Sequence, residues 1–213
     1  MINDIFQLYF NRWDFFLSLM LQHLELSAIS ILIAAILGLL LGIIISEYKK
    51  TSPVVLGMIN FIYTIPSISI LGFLIPFSGI GNTTAIIALT VYALLPMVRS
   101  THTGIENIDS SIIEAARGMG STSFQILYKI KIPLATTVIL SGLRNMVIMT
   151  IALAGIASFI GAGGLGVAIY RGITTNDSAM TMAGSLLIAL MALILDFFIG
   201  IVEKMIKKKW RLI

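Results

Sequence analysis

Several apolar runs in this chain are each long enough to cross a bilayer as a helix, and they limit its fold more than any other feature. A spanning helix needs about 20 predominantly apolar residues. A soluble domain of 213 residues would have to bury all of these runs in one core. With 58% hydrophobic residues, 11% charged residues and a mean hydropathy of +1.01, the chain is predicted to be an all-α, polytopic membrane protein.

About five spans are expected, and their flanking charges predict how the chain is oriented. The spans cover approximately Leu24–Ser46, Val54–Phe77, Thr83–Val98, Leu134–Ser158 and Ala179–Val202. Most of the 14 lysines and arginines follow the first, third or fifth span. Because cytoplasmic loops carry the excess of basic residues, the amino terminus is predicted to lie outside and the carboxyl terminus inside.

The two ends of the chain differ in character from the spans. Residues 1–22 mix charges with aromatic and aliphatic side chains, which favours a helix lying in the outer membrane interface. A frayed external tail is the alternative. Residues 204–213 form a basic tail, which the predicted orientation places in the cytoplasm.

A polar stretch over residues 100–133 separates the third span from the fourth. Ser111 with Glu114, and Thr122 with Gln125, have the spacing of capping boxes, so each pair predicts the start of a short helix. Gly118 and Gly120 lie between these helices, which predicts a tight turn. From the capping pattern alone, packing of this helix pair against the protein's own helix ends is favoured over docking to a partner.

The motif in this stretch favours docking. It reads Glu114-Ala115-Ala116, then Gly120, and after nine further residues Ile130-Lys131-Ile132-Pro133. This pattern resembles the EAA loop of bacterial ABC importer permeases, with leucine usual at the position of Ile132. The resemblance covers about residues 24–203 and identifies 23–203 as a type I transmembrane domain. It implies that the loop forms coupling helices that sit in a cleft of the ATPase, with docking residues Glu114, Ala115, Ala116, Gly118, Gly120, Ile130 and Pro133.

The same resemblance implies a noncatalytic permease subunit in the membrane of a bacterial cell. Its expected partners are cytoplasmic ABC ATPase subunits, an external substrate-binding protein, membrane lipid and a second permease subunit, either identical or homologous. Gly79–Asn82 and Phe159–Gly166 look most like the osmoprotectant permeases for glycine betaine, carnitine or choline. Methionine permeases share a similar glycine-rich stretch, and a permease for methionine or another amino acid is the alternative.

That glycine-rich stretch contains the spacing of a dinucleotide-binding fingerprint, at Gly161, Gly163 and Gly166. The fingerprint has meaning only between a strand and a helix of a soluble βαβ unit. Here it follows an apolar span on the predicted outer side, so nucleotide binding is rejected. We expect these glycines, with Gly164, to break the backbone as an outer gate; a simple turn between spans is the alternative.

Other functional classes find little support in the sequence. Acidic residues are scattered, no catalytic triad or metalloprotease pattern occurs, and zero cysteines with two histidines predict no metal site. Basic residues cluster at the span ends, so the net charge of +4 does not indicate a nucleic-acid partner, and no cofactor is expected. A secondary transporter would be expected to show internally repeated halves, and none are evident.

Two charges lie within predicted spans, Arg144 in the fourth and Asp196 in the fifth. Both are placed at a similar depth when counted from the cytoplasmic ends of their helices. Because an ionised side chain inside a bilayer is costly, we hypothesise that they form an ion pair joining the two helices. The alternative is that each extends separately to the cytoplasmic interface.

Three residues of the second and third spans are candidates for the translocation pathway. Pro66 would kink its helix. If the substrate is a quaternary ammonium compound, as the resemblance implies, Tyr63 and Tyr92 can present ring faces to it. The alternative is that both tyrosines only pack helices together.

Overall fold

The computed structural model describes residues 2–209, and the last residues of the predicted basic tail, 210–213, lie outside the described part. The helices are α1 (Ile2–Asn11), α2 (Trp13–Glu47), α3 (Ser52–Thr64), α4 (Ser67–Ser78), α5 (Asn82–Glu106), α6 (Ser110–Gly118), α7 (Ser123–Ile126), α8 (Ile132–Ala154), α9 (Gly166–Thr174) and α10 (Ser178–Lys209). A π-helical segment (Leu127–Lys131) precedes α8, and a 3-10 segment (Gly155–Ile160) follows it. Over residues 2–209 all regular structure is helical, so the predicted all-α class is confirmed.

Four helical runs are long and apolar enough to cross a membrane within the described part: α2, α5, α8 with its flanking segments, and α10. The pair α3 and α4 together make a fifth candidate. The predicted number of about five spans is therefore confirmed. Which end of the bundle faces the cytoplasm stays a prediction of the positive-inside rule.

The second span is broken where a kink was predicted. One helix over Val54–Phe77, kinked at Pro66, was expected, and α3 and α4 meet there at an angle of 98°. The break lies at Ile65, whose extended ψ of 129° precedes Pro66. Proline disfavours the helical conformation for the residue before it and has no N–H to continue the ladder. The Tyr92 hydroxyl donates a hydrogen bond to the Ile65 carbonyl, which satisfies an acceptor that the break leaves open.

The helix that contains the first span begins before the predicted span. Helix α2 runs for 35 residues from Trp13, or about 52 Å, so the expected boundary between residues 22 and 23 falls inside a continuous helix. No glycine or proline lies between Trp13 and His23 to end it. Helix α1 packs beside α10, with Ile5 buried and the Tyr9 hydroxyl donating to the Ala183 carbonyl at 2.8 Å. Placement of residues 1–22 in the outer interface stays a prediction.

Close packing between α2 and α5 depends on small side chains. Small residues recur at every fourth position of α2 and are all buried, at Ser30, Ala34, Gly38, Gly42 and Ser46. A Cβ added at Gly38 would lie only 2.7 Å from the Met97 Cβ. Helix α5 therefore lies closer to α2 than a residue with a side chain at position 38 would allow. Within lipid, helices associate through such close van der Waals packing because the apolar solvent supplies no hydrophobic drive.

The two loop regions lie at opposite ends of the bundle. At one end, which we call the α6 end, Lys131 Nζ contacts the Glu47 carboxylate at 2.5 Å and Lys49 Nζ contacts Glu106 at 3.3 Å. At the other end, which we call the α9 end, the Asn82 side chain accepts from the backbone N–H of Gly163 at 3.0 Å. The EAA-like loop therefore lies at one end and the glycine-rich stretch at the other.

Candidate coupling loop, glycine clamp and intramembrane charges

Helix α6 is capped differently from the prediction. Its N-cap is Asp109, whose Oδ1 accepts from the backbone N–H of Ser111 at 2.9 Å. The predicted capping box of Ser111 with Glu114 is wrong, because Ser111 already lies inside the helix. The hydrogen bond from Ser111 favours the carboxylate form and holds the pKa of Asp109 below its ordinary value. At neutral pH this cap is therefore ionised and also complements the helix dipole.

The turn that follows α6 requires glycine. Gly120 has φ +83°, in the left-handed region, and its N–H donates to the Arg117 carbonyl at 2.9 Å. Helix α7 then begins with Thr122, which accepts from the Gln125 N–H at 3.3 Å while the Gln125 side chain accepts from the Thr122 N–H at 2.8 Å. The second predicted capping box is confirmed, as is the predicted order of helix, glycine turn and helix.

Helix α7 is joined to the span without a break. The helical run from Ser123 to Ile160 covers 38 residues, and the π-helical segment forms its widened turn. Ile130 and Pro133 lie at this junction, where Pro133 has no N–H for the i to i−4 ladder. Because the run is continuous, no loop separates α7 from α8.

The predicted docking residues divide into exposed and buried groups. Glu114, Ala115, Gly118 and Gly120 are exposed, whereas Ala116 is 1% exposed and packs inward. Large apolar side chains surround the turn and are also exposed: Ile112, Met119, Phe124 and Tyr128. Apolar groups of this size grouped at a polar end of the bundle mark a surface for a partner. The sequence analysis did not identify Phe124 and Tyr128, whose rings stack with centroids 6.4 Å apart.

At the α9 end, three consecutive backbone N–H groups of the glycine-rich stretch are held by side chains. The Gly163 N–H donates to Asn82, the Gly164 N–H donates to Gln22 Oε1 at 3.2 Å, and the Leu165 N–H donates to His23 Nδ1 at 3.2 Å. We call these three hydrogen bonds the glycine clamp. The clamp ties the loop to α2 and α5.

His23 is fully buried and its protonation follows from its partners. Its Nδ1 accepts from a backbone N–H, so its Nε2 carries the hydrogen and donates to the Ile151 carbonyl at 3.0 Å. One neutral imidazole therefore links α2, α8 and the glycine-rich stretch. The sequence analysis considered His23 only as a metal ligand, and no local pattern marks this role because its partners lie 128 and 142 positions away.

The candidate gate glycines have distinct positions. Gly161 follows the 3-10 segment, Gly163 and Gly164 belong to the glycine clamp, and Gly166 begins α9. At Gly166 an added Cβ would overlap the Gly155 carbonyl. The close approach of α9 to the 3-10 segment thus needs glycine at this position. A gating role for these residues stays a prediction.

Gly166→Ala is expected to lower the yield of folded permease severalfold, because the new methyl group must push α9 away from the Gly155 backbone. Gly72→Ala is the matched control, since no atom lies within 4 Å of a Cβ there. Folded yield is measured by size-exclusion chromatography of detergent-extracted protein. Equal yields for the two variants would contradict the assigned contact.

Arg144 and Asp196 lie in contact between α8 and α10. Arg144 Nε and Nη2 donate to the two Asp196 carboxylate oxygens at 2.5 and 2.6 Å, a bidentate ion pair. Arg144 Nη1 also approaches Glu203 at 3.6 Å, and Glu203 contacts Lys207 at 2.7 Å. Two positive and two negative groups thus form one network that is neutral in sum, which reduces the cost of placing them in a bilayer.

The network extends beyond the two residues that the sequence analysis selected. Asp196, Gly200, Glu203 and Lys207 recur at intervals of four, three and four residues, so they share one face of α10. A Cβ added at Gly200 would lie 3.6 Å from the guanidinium of Arg144, an ordinary van der Waals contact, so the guanidinium lies against this face of α10. This spacing is the sequence signal that would have identified Glu203.

The predicted pathway residues are not equivalent. Tyr63 and Pro66 are exposed, whereas Tyr92 is 6% exposed and its hydroxyl is bonded to Ile65. The rings of Tyr63 and Tyr92 lie 5.7 Å apart, and the Tyr63 hydroxyl donates to Met149 Sδ at 2.9 Å. Tyr92 therefore supports the break between α3 and α4, and Tyr63 presents the accessible ring.

Residues 34–212 match the family described as the binding-protein-dependent transport system inner membrane component. The chain belongs to this family. The family expected from the EAA-like motif is confirmed, as is the membrane location of this inner membrane component.

Two curated relatives of this inner membrane component carry osmoprotectant names. The osmoprotectant import permease protein OsmW of Salmonella typhimurium is 43% identical over 187 residues, covering 85% of this chain and 87% of that protein. The glycine betaine/carnitine/choline transport system permease protein OpuCD of Bacillus subtilis is 42% identical over 192 residues, covering 88% of this chain and 84% of that protein. The resemblance to osmoprotectant permeases is thus confirmed.

A solved structure shares the fold of this inner membrane component. An inward-facing form of the MetNI methionine ABC transporter matches with a TM-score of 0.83 and 23% identity, over 90% of this chain and 95% of that chain. At this identity the likeness concerns the fold alone. It agrees with the arrangement of spans expected from the EAA-like motif.

Proposed function

We propose that this chain is the noncatalytic membrane subunit of an ATP-driven importer for a quaternary ammonium solute such as glycine betaine, carnitine or choline. The observation that carries the proposal is the exposed EAA-like loop, seated on a helix that continues directly into the fourth span. Relatives 42% and 43% identical, named for these solutes, support the substrate class.

In this proposal one of two ATPase subunits binds the exposed surface formed by Glu114, Ala115, Gly118 and Gly120 with the apolar groups around them. Closure of the ATPases on ATP moves α6 and α7. The continuous run into α8 carries that movement into the membrane, where a second permease subunit completes the pathway. An external binding protein delivers the solute at the α9 end.

The geometry of the α9 end supports this proposed contact. The glycine clamp and the close packing at Gly166 hold the loop in one conformation on α2 and α5. A held surface loses little conformational entropy when it binds a partner. We infer that the glycine-rich stretch transmits movement of the span ends to the outer opening, rather than acting as a freely flexible flap.

Radiolabelled uptake tests the proposed function. Cells lacking their own osmoprotectant transporters would express this chain with its ATPase and binding-protein subunits, and would be offered glycine betaine, carnitine, choline and methionine separately. We expect ATP-dependent uptake of at least one quaternary ammonium solute and loss of that uptake with a hydrolysis-deficient ATPase. Uptake of methionine alone would overturn the proposed substrate class while leaving the family unchanged.

A further inference from the structure

A second polar surface lies along the bundle, away from the charge network, the coupling loop and the glycine clamp. On α8, Ser141 and Asn145 are exposed and share one face, one helical turn apart. They lie nine and thirteen residues after Ile132, or about 14 and 20 Å into the helix. An exposed asparagine near the middle of a span would face hydrocarbon unless water or protein covers it.

The neighbouring helices add polar groups to the same side. Met149 lies one turn after Asn145 on α8, and its sulfur accepts from the exposed Tyr63 of α3. One turn before Tyr63, the Asn60 Oδ1 accepts from the exposed Arg99 Nη2 of α5 at 2.7 Å. We call Asn60, Tyr63, Arg99, Ser141 and Asn145 the polar face.

Contacts at the α6 end show how far Arg99 lies from that end of the bundle. His102, three residues later on α5, contacts the Ser52 hydroxyl at the start of α3 with 2.6 Å between the two atoms. Arg99 thus lies one turn inward from that level, seven residues before α5 ends at Glu106, or about 10 Å along the helix. The hydrogen-bonded Arg99 and Asn60 therefore form the part of the polar face nearer the α6 end, and Tyr63 forms the part nearer the middle of the bundle.

By contrast, the outward surface of α10 at similar depth is apolar. Leu190, Leu193, Ile194 and Phe197 are all strongly exposed there. Polar residues inside membranes face a water-filled cavity or other protein, whereas apolar ones face lipid. The bundle therefore has one surface suited to lipid and another suited to a wet cavity.

We propose that the polar face is a water-exposed wall of the translocation pathway and that Arg99, oriented by Asn60, receives the carboxylate of a zwitterionic trimethylammonium solute. This inference rests on the proposed function. A guanidinium has five N–H donors, so the hydrogen bond to Asn60 leaves donors for a bidentate carboxylate. The exposed Tyr63 ring lies deeper, where it can face the quaternary ammonium group.

Cysteine labelling tests the wall itself, since the chain has no native cysteine. Asn145→Cys and Ser141→Cys would be compared with Leu193→Cys, an exposed control on α10. The permease, assembled with its ATPase in membranes, is treated with a trimethylammonium methanethiosulfonate, which reacts with the hydrated thiolate. We expect labelling about tenfold faster or more at 145 and 141 than at 193, because a thiol in lipid stays protonated and dry. Equal labelling rates at the three positions would contradict a water-exposed polar face.

Uptake selectivity tests the role of Arg99. Arg99→Gln is expected to lower uptake of glycine betaine about tenfold relative to choline, which has no carboxylate, because charged hydrogen bonds to the carboxylate are lost. Arg99→Lys keeps the charge and should recover part of the ratio. An equal change for both solutes, or a wild type that carries choline only, would overturn carboxylate recognition by Arg99.

Different results would refute the proposed function and the water-exposed polar face. A wild type that carries no quaternary ammonium solute would refute the proposed function, and with it the zwitterionic solute assigned to Arg99. The labelling rates at residues 141, 145 and 193 need no transported solute, so they decide independently whether the polar face is wet.

Discussion

Gly120→Asp is expected to abolish uptake, with a loss of at least about a hundredfold, while the permease still inserts and folds. The residue occupies the exposed turn of the EAA-like loop with φ +83°, and Met119 beside it is 80% exposed. A charge placed there would have to be buried, unpaired, in the contact with the ATPase, which is among the costliest changes an interface can suffer. The measurement is co-purification of the ATPase with tagged permease, alongside uptake.

Gly120→Asn is the matched control for this prediction. Asparagine has nearly the same shape as aspartate, and both tolerate the left-handed conformation better than other residues with side chains. We expect Gly120→Asn to retain substantially more bound ATPase than Gly120→Asp. Normal ATPase recovery with Gly120→Asp would remove this turn from the docking surface. A low yield of both variants in the membrane would assign the turn a role in folding instead.

Asp196→Leu is expected to reduce folded permease and uptake about tenfold or more, because it leaves the Arg144 guanidinium without its bidentate partner. Glu203 lies 3.6 Å from Arg144 but is already in contact with Lys207. The single change therefore leaves a net positive charge in a network that was neutral. Folded yield in detergent and uptake per folded molecule are the two measurements.

The double variant Arg144→Leu with Asp196→Leu separates charge balance from packing. It removes one positive and one negative group together, and it keeps the pair of Glu203 with Lys207. We expect it to fold better than either single variant, since replacing both members of an ion pair avoids an uncompensated charge. A double variant that folds no better than Asp196→Leu would contradict a stabilising pair between α8 and α10.

Much of the architecture was predictable because it depends on patterns within short segments. Apolar run length identified the spans, and Thr122 with Gln125 identified the start of α7 because both members of a capping box lie within one turn. The same reasoning was wrong at Ser111, because the Ser111 N–H donates to the Asp109 carboxylate and Asp109 is therefore the N-cap. Proline predicted a kink at Pro66, but hydropathy continues across it and does not give the 98° angle between α3 and α4.

The sequence by itself determined a membrane-spanning, all-α chain with an EAA-like loop between its third and fourth spans, because hydropathy, capping and the EAA-like motif are local properties. The tertiary structure decided which distant groups meet. His23 contacts Leu165 across 142 positions, and Arg144 meets Glu203 as well as Asp196. These contacts depend on helix rotation and crossing, which small buried residues such as Gly38 and Gly42 set through close approach. A pattern within a single span shows which residues share a face of the helix, but not which distant helix that face meets.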